Sequence, residues 1–515
     1  MESIIAIDAG TTSSRTIAFN KKIEQLAISQ FEFEQIFPKK SWVEHDPNEI
    51  WETQLRAIKE VLKSDKIDLG KIKSIGITNQ RETTVIWNRE SGKPIYNAIV
   101  WQDRRTAKIC ESLSNQTATF LEKTGLVLDS YFSGTKVKWI LDNVQDAREL
   151  ADQGKLAFGT IDTWLIWKLT KGNVHVTDVT NASRTLIFNI NTLEWDDELL
   201  GILNIPKELL PKVVSSSEII GHTDLTLFGK KIPISGIAGD QQSALFGQMC
   251  INEGDVKNTY GTGCFCIMNT GKKIIKSKNR MLSTVAWKLN NEVTYALEGS
   301  VFIAGALVQW LRDKLSIIKN ASEIENLAKQ ADDNGGITFV PALSGLGAPY
   351  WNPNATGTIF GLTRDSNKSH IARAALEAIA LRSREIILEM QKDAGFKFKE
   401  LKVDGGASKN NLLMQLQADL LNKNVVRSKS PESTALGAAF FAGLSVGFWS
   451  SIEEIRGLWE KDVTFFPDSS SIKTQKIIDN WNYGDTKSCW RQRCFAPTFN
   501  STRHVLFLGV FPLLG

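Results

Sequence analysis

Near its start the chain places a turn of glycine and small hydroxyl residues between two apolar runs. Ile4, Ala6 and Ile7 lead into Asp8-Ala9-Gly10-Thr11-Thr12-Ser13-Ser14-Arg15, and Ile17-Ala18-Phe19 follow. The pattern predicts a β-hairpin with a polar tip. Backbone N–H groups and hydroxyls in such a tip can wrap an anion. Asp8, at the end of the first run, is placed to reach a metal riding on that anion, and Arg15 to add positive charge. Taken alone, the stretch reads equally as an ordinary Asp-Ala-Gly hairpin.

A second stretch far along the chain breaks the tie. Val256 to Tyr260 leads into Gly261-Thr262-Gly263, and Cys264-Phe265-Cys266-Ile267-Met268 follow. Two similar hairpins in one chain predict an internally duplicated architecture, each half offering one phosphate-type turn to a shared cleft. A third glycine cluster, Val403-Asp404-Gly405-Gly406-Ala407-Ser408-Lys409-Asn410, follows a short apolar strand and precedes a helical pattern. Glycine there lets a flat ring lie close to the backbone. None of the three is a GxxxxGK[ST] loop, and no GxGxxG opens a helix after a strand. The chain is therefore neither a P-loop enzyme nor a simple dinucleotide binder.

A chain of 515 residues exceeds one hydrophobic core, so two large domains are expected. The boundary falls near Gly247–Gly254, which divides the chain into 1–250, 251–465 and a divergent tail, 466–515. From about Gly484 onward the periodicity is lost and the sequence turns basic. The closing run, 504–515, is apolar but too short to span a bilayer. It reads as a divergent tail, with a weak membrane or partner contact as the minor alternative. Lys and Arg number 61 against 57 Asp and Glu, and no basic tract is interleaved with aromatics, which argues against nucleic-acid binding. Six scattered cysteines show no zinc spacing. Cys264 and Cys266, two apart in a predicted strand, read as buried reduced thiols. With no apolar leader and no run of ~20 apolar residues, this points to the cytoplasm and to no membrane span.

Strand and helix signals alternate along the chain, which predicts an α/β fold with mixed sheets. Asp46-Pro47-Asn48-Glu49 reads as a helix start, with Asp46 as N-cap and Trp51, Leu55, Ile58 and Leu62 recurring at helical spacing. Leu376 to Met390 reads as a long amphipathic helix.

Polar groups gather beside apolar strands at Arg81-Glu82, at Trp101, at Tyr131 and at Asp240-Gln241. A small triol needs donors and acceptors for three hydroxyls and apolar cover for a short carbon chain. The Arg-Glu and Asp-Gln pairs supply the first; Trp101 and Phe265 supply the second. Asp240, at a strand end beside the domain boundary, is the candidate base for a hydroxyl under attack on phosphorus. Singly, each residue has a plainer reading: a surface ion pair for Arg81 and Glu82, core packing for Trp101 and Tyr131, a helix cap for Asp240. Their company with three phosphate-type turns favours a site.

At this point the chain resembles the FGGY family of carbohydrate kinases, and within it the members that act on glycerol. The resemblance covers residues 1 to about 465. It rests on 8–15, on Gly76-Ile77-Thr78-Asn79-Gln80-Arg81-Glu82-Thr83, on 96–102 and on Tyr131 to Trp139. It continues through Gly239-Asp240-Gln241-Gln242, Tyr260 to Phe265, Gly345 to Trp351 and Asp404-Gly405-Gly406-Ala407. It implies two actin-like ATPase domains, ribonuclease-H-like mixed sheets flanked by helices, around a central cleft. It implies glycerol contacts at Arg81, Glu82, Tyr131, Asp240 and Gln241, with Trp101 and Phe265 as walls and Asp240 as base. ATP phosphates would meet Thr11, Thr12, Ser13, Arg15 and Thr262; Gly305 and Gln309 would border the nucleotide; Gly406 and Asn410 would flank the adenosine. Asp8 and Asp240 would hold Mg²⁺, through water where needed. The implied reaction is ATP plus glycerol giving sn-glycerol 3-phosphate plus ADP, in a homo-oligomer (dimer or tetramer). The alternatives are a kinase for another small polyol or ketose, and an idle nucleotide-gated binding protein.

Overall fold

Short runs of β-branched and small apolar residues, bounded by glycine-bearing turns, build one sheet through the centre of the protein. The computed structural model describes residues 1–352, 354–468 and 471–487. In chain order the strands of the sheet are β1 (Ser3–Ala9), β2 (Ser13–Phe19), β3 (Gln25–Glu32), β4 (Ile72–Asn79), β5 (Ser217–His222) and β6 (Pro233–Gly239). They continue as β7 (Val256–Tyr260), β8 (Cys264–Gly271), β9 (Leu282–Leu289), β10 (Glu292–Val301), β11 (Glu400–Asp404), β12 (Asn424–Ser428) and β13 (Lys461–Phe465).

The sheet repeats one topology twice. In the first half β1 pairs antiparallel with β2, and β2 with β3; β4 lies parallel beside β1, and β6 parallel beside β4. In the second half β7, β8 and β10 pair antiparallel in the same way, with β11 parallel to β7 and β12 parallel to β11. Both halves have the spatial order 3-2-1-4-5 of a ribonuclease-H-like sheet, which bears out the duplication expected from the two hairpins. They differ from two separate sheets in one respect. A single register pair, Ser217 with Leu289, joins β5 to β9 and makes one sheet of 13 strands.

Helices cover the faces. Those used below are α1 (Pro47–Leu62), α2 (Ser133–Asn143), α3 (Asp240–Gly247), α4 (Gly305–Asp313), α5 (Lys368–Ala394), α6 (Asn411–Leu421), α7 (Ser433–Ser445) and α8 (Ser471–Lys487). The cap of α1 is as expected: the Asp46 side chain accepts from the Asn48 N–H at 2.8 Å, and Pro47 opens the helix. Its buried stripe is not. Ile50, Gln54, Ala57, Ile58 and Val61 face inward, whereas Trp51, Leu55 and Leu62 flank them, half-buried. The polar Gln54 belongs to the stripe because its amide donates to the Thr16 hydroxyl, at 2.8 Å, inside the core.

Helix α7 is apolar all round and lies in the middle of the protein, as such helices must. The cysteine thiols at 264 and 266 are buried on one face of β8, and burial pushes Cys264 up to about 12, so both stay protonated. The segment read as a tail is structured in part. Within 466–515, α8 packs Ile477, Ile478 and Trp481 against the second half's core, and the Trp481 indole donates to Glu385 at 2.6 Å. Cys489, Cys494 and the apolar run 504–515 lie outside the described residues. Among the described residues no helix is long and apolar enough to cross a membrane.

Candidate active site

The two hairpin tips are built alike. The Gly10 N–H donates to the Ser13 carbonyl at 2.9 Å, and the Gly261 N–H to the Gly263 carbonyl at 2.9 Å. At the first tip Asp8 stands opposite Arg15 in the β1–β2 register, and the two form an ion pair. Arg15 also reaches Glu432, at 2.7 Å, just ahead of α7. The positive charge expected of Arg15 stands at this tip, shared between two carboxylates. Thr11 accepts a hydrogen bond from the Trp101 indole at 3.1 Å; Thr12 is exposed and Ser13 half-buried.

At the second tip the N-terminus of α4 docks on the turn. The Gly305 N–H donates to the Gly261 carbonyl at 3.0 Å, and those of Ala304 and Ala306 to the Thr262 carbonyl at 2.9 and 3.0 Å. A Cβ at Gly305 would lie 2.5 Å from the Gly261 oxygen, so only glycine allows this docking. Beside it opens a cavity of about 530 Å³. Thr262, Gly305, Gln309, Gly406 and Asn410 all line it, together with apolar side chains such as Ile324 and Leu413. That size and lining suit a nucleoside. Gly405 has φ +87°, and a Cβ there would strike the Tyr260 carbonyl, which fixes the turn against β7. Asn410 is the N-cap of α6, its side chain accepting from the Leu413 N–H at 2.9 Å.

The polar constellation is buried and ionic. Arg81 leaves the end of β4 and lies over Gly239, where a Cβ would meet its side chain at 2.7 Å. Its Nε is 3.1 Å from Asp240, and its Nη1 and Nη2 donate to Glu298 at 2.5 and 2.9 Å. Glu82 accepts from Arg184 Nε at 2.7 Å, and Arg184 Nη2 donates to Glu298 at 3.0 Å. Glu82 itself has φ +60°. A left-handed non-glycine residue is strained by ~1–2 kcal/mol and persists only where its surroundings fix it. Here its carbonyl accepts from the Ser133 and Thr84 hydroxyls, at 2.9 and 3.2 Å. A surface ion pair is thus excluded for Arg81 and Glu82.

Asp240 opens α3, where the helix dipole favours negative charge. Burial raises its carboxyl above the ordinary Asp range, with Arg81 and Lys257 opposing. Its side chain still keeps 31% of its surface, whereas Arg81, Glu82 and Glu298 keep almost none. Gln241, next on α3, accepts from Lys257 Nζ at 2.5 Å. The aromatic wall closes around Trp101, whose ring centroid lies 5.6 Å from Tyr131 and 6.1 Å from Phe265, edge-on to both. Tyr131 is held by the loop before α2, where the buried Lys136 ammonium donates to the Ser130, Tyr131 and Phe132 carbonyls at 2.6, 2.7 and 3.1 Å. Burial lowers Lys136 to about 8.

Trp101 therefore touches the first tip through Thr11 and the strand leaving the second tip through Phe265. The predicted residues fall into three connected groups: the first hairpin, the ionic and aromatic constellation, and the nucleoside-sized cavity. Sequence reasoning missed Arg184, Glu298, Lys257 and Lys136. Glu298 had a visible signal, a carboxylate inside the apolar strand Tyr295-Ala296-Leu297-Glu298-Gly299, and Lys136 lay within the motif Tyr131 to Trp139; Arg184 had none.

Asp8 and Asp240 can share an ion only indirectly. Asp8 is level with Thr78, and Thr78 with Ala238, so the two chains are two strand spacings, about 10 Å, apart. Among the described residues no three His, Cys, Asp or Glu side chains form a ready cage. Hard carboxylate oxygens set apart in this way suit Mg²⁺, which keeps waters and phosphate oxygens among its ligands.

Comparison with known proteins places this geometry. Residues 3–247 match the FGGY family of carbohydrate kinases, N-terminal domain, and residues 256–446 match its C-terminal domain. The chain is 59% identical over 485 residues to a glycerol kinase of Borreliella afzelii, covering 94% of this chain and 97% of that one. A glycerol kinase of Burkholderia multivorans is 56% identical over 480 residues, covering 93% and 96%. Among solved structures, Plasmodium falciparum glycerol kinase with ADP superposes with a TM-score of 0.89 at 38% identity, covering 96% of this chain and 99% of that one.

Proposed function

Since the chain belongs to the FGGY family of carbohydrate kinases, we propose that it is an enzyme transferring the γ-phosphoryl group of ATP to a terminal hydroxyl of glycerol. One observation in the molecule carries this reading. A half-buried carboxylate that still reaches solvent, Asp240, stands beside a fully buried Arg-Glu pair. A single indole, Trp101, links that group to both hairpins, one of which borders the nucleoside-sized cavity.

In this reading Arg81, Glu82, Tyr131, Asp240 and Gln241 hold the three hydroxyls, and Trp101 and Phe265 cover the carbon chain. Asp240 accepts the proton of the attacking hydroxyl. The new O–P bond forms as the β,γ-bridging P–O bond breaks, releasing ADP and sn-glycerol 3-phosphate. Burial makes Asp240 a stronger base than an exposed carboxylate. Phosphoryl transfer depends on positioning and charge neutralisation more than on covalent chemistry. Thr11, Thr12, Ser13 and Thr262 supply hydrogen bonds to the phosphates. Arg15 joins them by exchanging one of its two carboxylates. Gly305 and Gln309 border the nucleotide, and Gly406 and Asn410 flank the adenosine. Asp8 and Asp240 would hold Mg²⁺, through water where needed, and the ion would supply charge neutralisation on the phosphates. A cytoplasmic location and a homo-oligomeric state, dimer or tetramer, belong to the same reading and rest on the family resemblance.

A coupled assay of ADP release tests it. Turnover should depend on glycerol and exceed that with erythritol or xylulose. Equal ADP release without glycerol, or faster turnover with either longer substrate, would refute the assignment.

A further inference from the structure

Glu298 lies on β10, in the second half of the sheet, yet its carboxylate binds two guanidinium groups of the first half. Arg81 grips it with Nη1 and Nη2, and Arg184 adds Nη2 at 3.0 Å. Arg184 then reaches Glu82 with Nε at 2.7 Å, while its Nη1 has no hydrogen-bond partner among the described residues. The four groups form a ring of two positive and two negative charges, none more than 2% exposed, whose fourth side, Arg81 to Glu82 at 3.9 Å, is an ion pair without a hydrogen bond. Burial works against the Glu298 carboxylate, but Arg184 and Arg81 outweigh it and hold it ionised. Asp240, ion-paired with the remaining Arg81 nitrogen, is the fifth charge and the one that keeps a share of its surface in solvent.

A buried ionic ring adds little stability by itself, because desolvation offsets the attraction. Its effect here is geometric. Arg81 Nε is 3.9 Å from Glu82, too far for a hydrogen bond, because both Nη atoms are committed to Glu298. Without that carboxylate Nη1 keeps only its bond to Gln242, at 3.1 Å, and Nη2 is left unpaired inside the protein, with the carboxylates of Asp240 and Glu82 the charges beside it. The guanidinium would close on them, and the groups meant for hydroxyls would satisfy one another.

We propose that Glu298 is a positioning residue of the acceptor site: it holds Arg81 directly, and Glu82 through Arg184, apart and turned toward the acceptor. Because Glu298 comes from the other half of the sheet, the acceptor pair is complete only when the two halves are in register. The inference rests on Arg81 and Glu82 being the acceptor contacts.

Steady-state kinetics on the full chain tests it, with glycerol and ATP each varied against the other at saturation. Glu298→Gln keeps the shape and removes the charge. Arg184→Lys keeps the charge and removes the bridge between two carboxylates. Each should raise the glycerol KM about tenfold or more, the cost of one misplaced buried charged hydrogen bond, with the ATP KM within about twofold. A smaller rise, or both KM values moving together, overturns the proposal. So does failure of both variants to fold, which would make the ring a stability element. Arg81→Ala and Glu82→Gln separate the premise from the inference. If they leave the glycerol KM unchanged, the acceptor reading fails. If they raise it and Glu298→Gln does not, only the positioning role fails.

Discussion

Replacement of Gly437 by alanine should damage catalysis from a site that touches no substrate. Helices α3 and α7 follow the last parallel strand of each half and cross with their backbones in contact. A Cβ at Gly437 would lie 2.5 Å from the Ser243 carbonyl carbon and closer still to its oxygen. At the reciprocal point, a Cβ at Gly247 would lie 2.9 Å from the Ser433 carbonyl carbon. Carbon atoms pack at ~3.5 Å or more, so one methyl group requires the helices to separate by about 1 Å. Neither can yield easily: α7 is buried on all sides, and α3 is tied to it by the Ser243 hydroxyl donating to the Thr434 carbonyl at 2.7 Å. Overpacking of this kind costs ~1–3 kcal/mol. The larger consequence concerns Asp240, at the first position of α3. A displacement of ~1 Å in a reacting group can cost on the order of 10²-fold in rate. Gly437→Ala should therefore lower the melting temperature by a few degrees and kcat/KM for glycerol about a hundredfold, read by thermal unfolding and the coupled assay. A variant with wild-type kcat/KM would show that the crossing does not set the position of Asp240.

Asp240→Asn should lower kcat by ~10²–10⁴-fold, as expected for loss of a general base, while ADP titrated calorimetrically still binds; full activity would remove Asp240 from that role. Phe265→Ala should raise the glycerol KM several-fold by opening the apolar wall, and an effect confined to ATP would show the wall to be misplaced. Asp162 offers a test of electrostatics away from the site. Burial pushes its carboxyl up to about 7, although the Thr160 and Thr177 hydroxyls donate to it. A raised folded-state value favours the protonated native form, so this contribution is full below pH ~4 and is lost as pH rises through 7. Asp162→Asn abolishes the titration. Relative to wild type, the variant should therefore gain about 2–3 kcal/mol between pH 5 and pH 8, and an unfolding difference that is flat with pH would refute the assignment.

What the sequence disclosed was local. The hairpin tips were legible because their turn residues and flanking strands are contiguous, and the start of α1 because Asp46 and Pro47 are neighbours. The inward face of α1 was misjudged because Gln54 is drawn inside by Thr16, a partner on strand β2. The joined sheet was hidden because one pairing, Ser217 with Leu289, makes it. At the site, Arg81 and Glu82 were legible as a dipeptide, but their environment was not: Arg81 meets Glu298 across 217 positions, and Arg184 meets Glu298 across 114. Likewise the pairing of Arg15 with Glu432 was not legible, because Glu432 lies in the other half. Residues acting through contiguous motifs could be named; residues acting through distant ion pairs could not.

The duplication also lets the two halves be compared position by position. In the first, the acid at the strand ends is Asp8 on β1, level with Thr78 on β4. In the second the order is reversed: Thr259 on β7 is level with Asp404 on β11. Across each hairpin the difference continues, with Arg15 facing Asp8 and Phe265 facing Thr259. One hairpin is therefore charged and the other partly apolar. The acid moved to β11 stands at the Gly405 turn beside the nucleoside-sized cavity, and leaves Phe265 free to meet carbon rather than a charge. The helices after the fifth strands diverge in the same sense: α3 opens with the carboxylate of Asp240, whereas α7 opens with Ser433. In the proposed reading, an acid on the first strand of each half would set two carboxylates against the ATP phosphates. With Thr259 where the first half has its acid, the proposed reading leaves one hairpin acid, Asp8, already paired with Arg15, and puts the candidate base, Asp240, in one half alone.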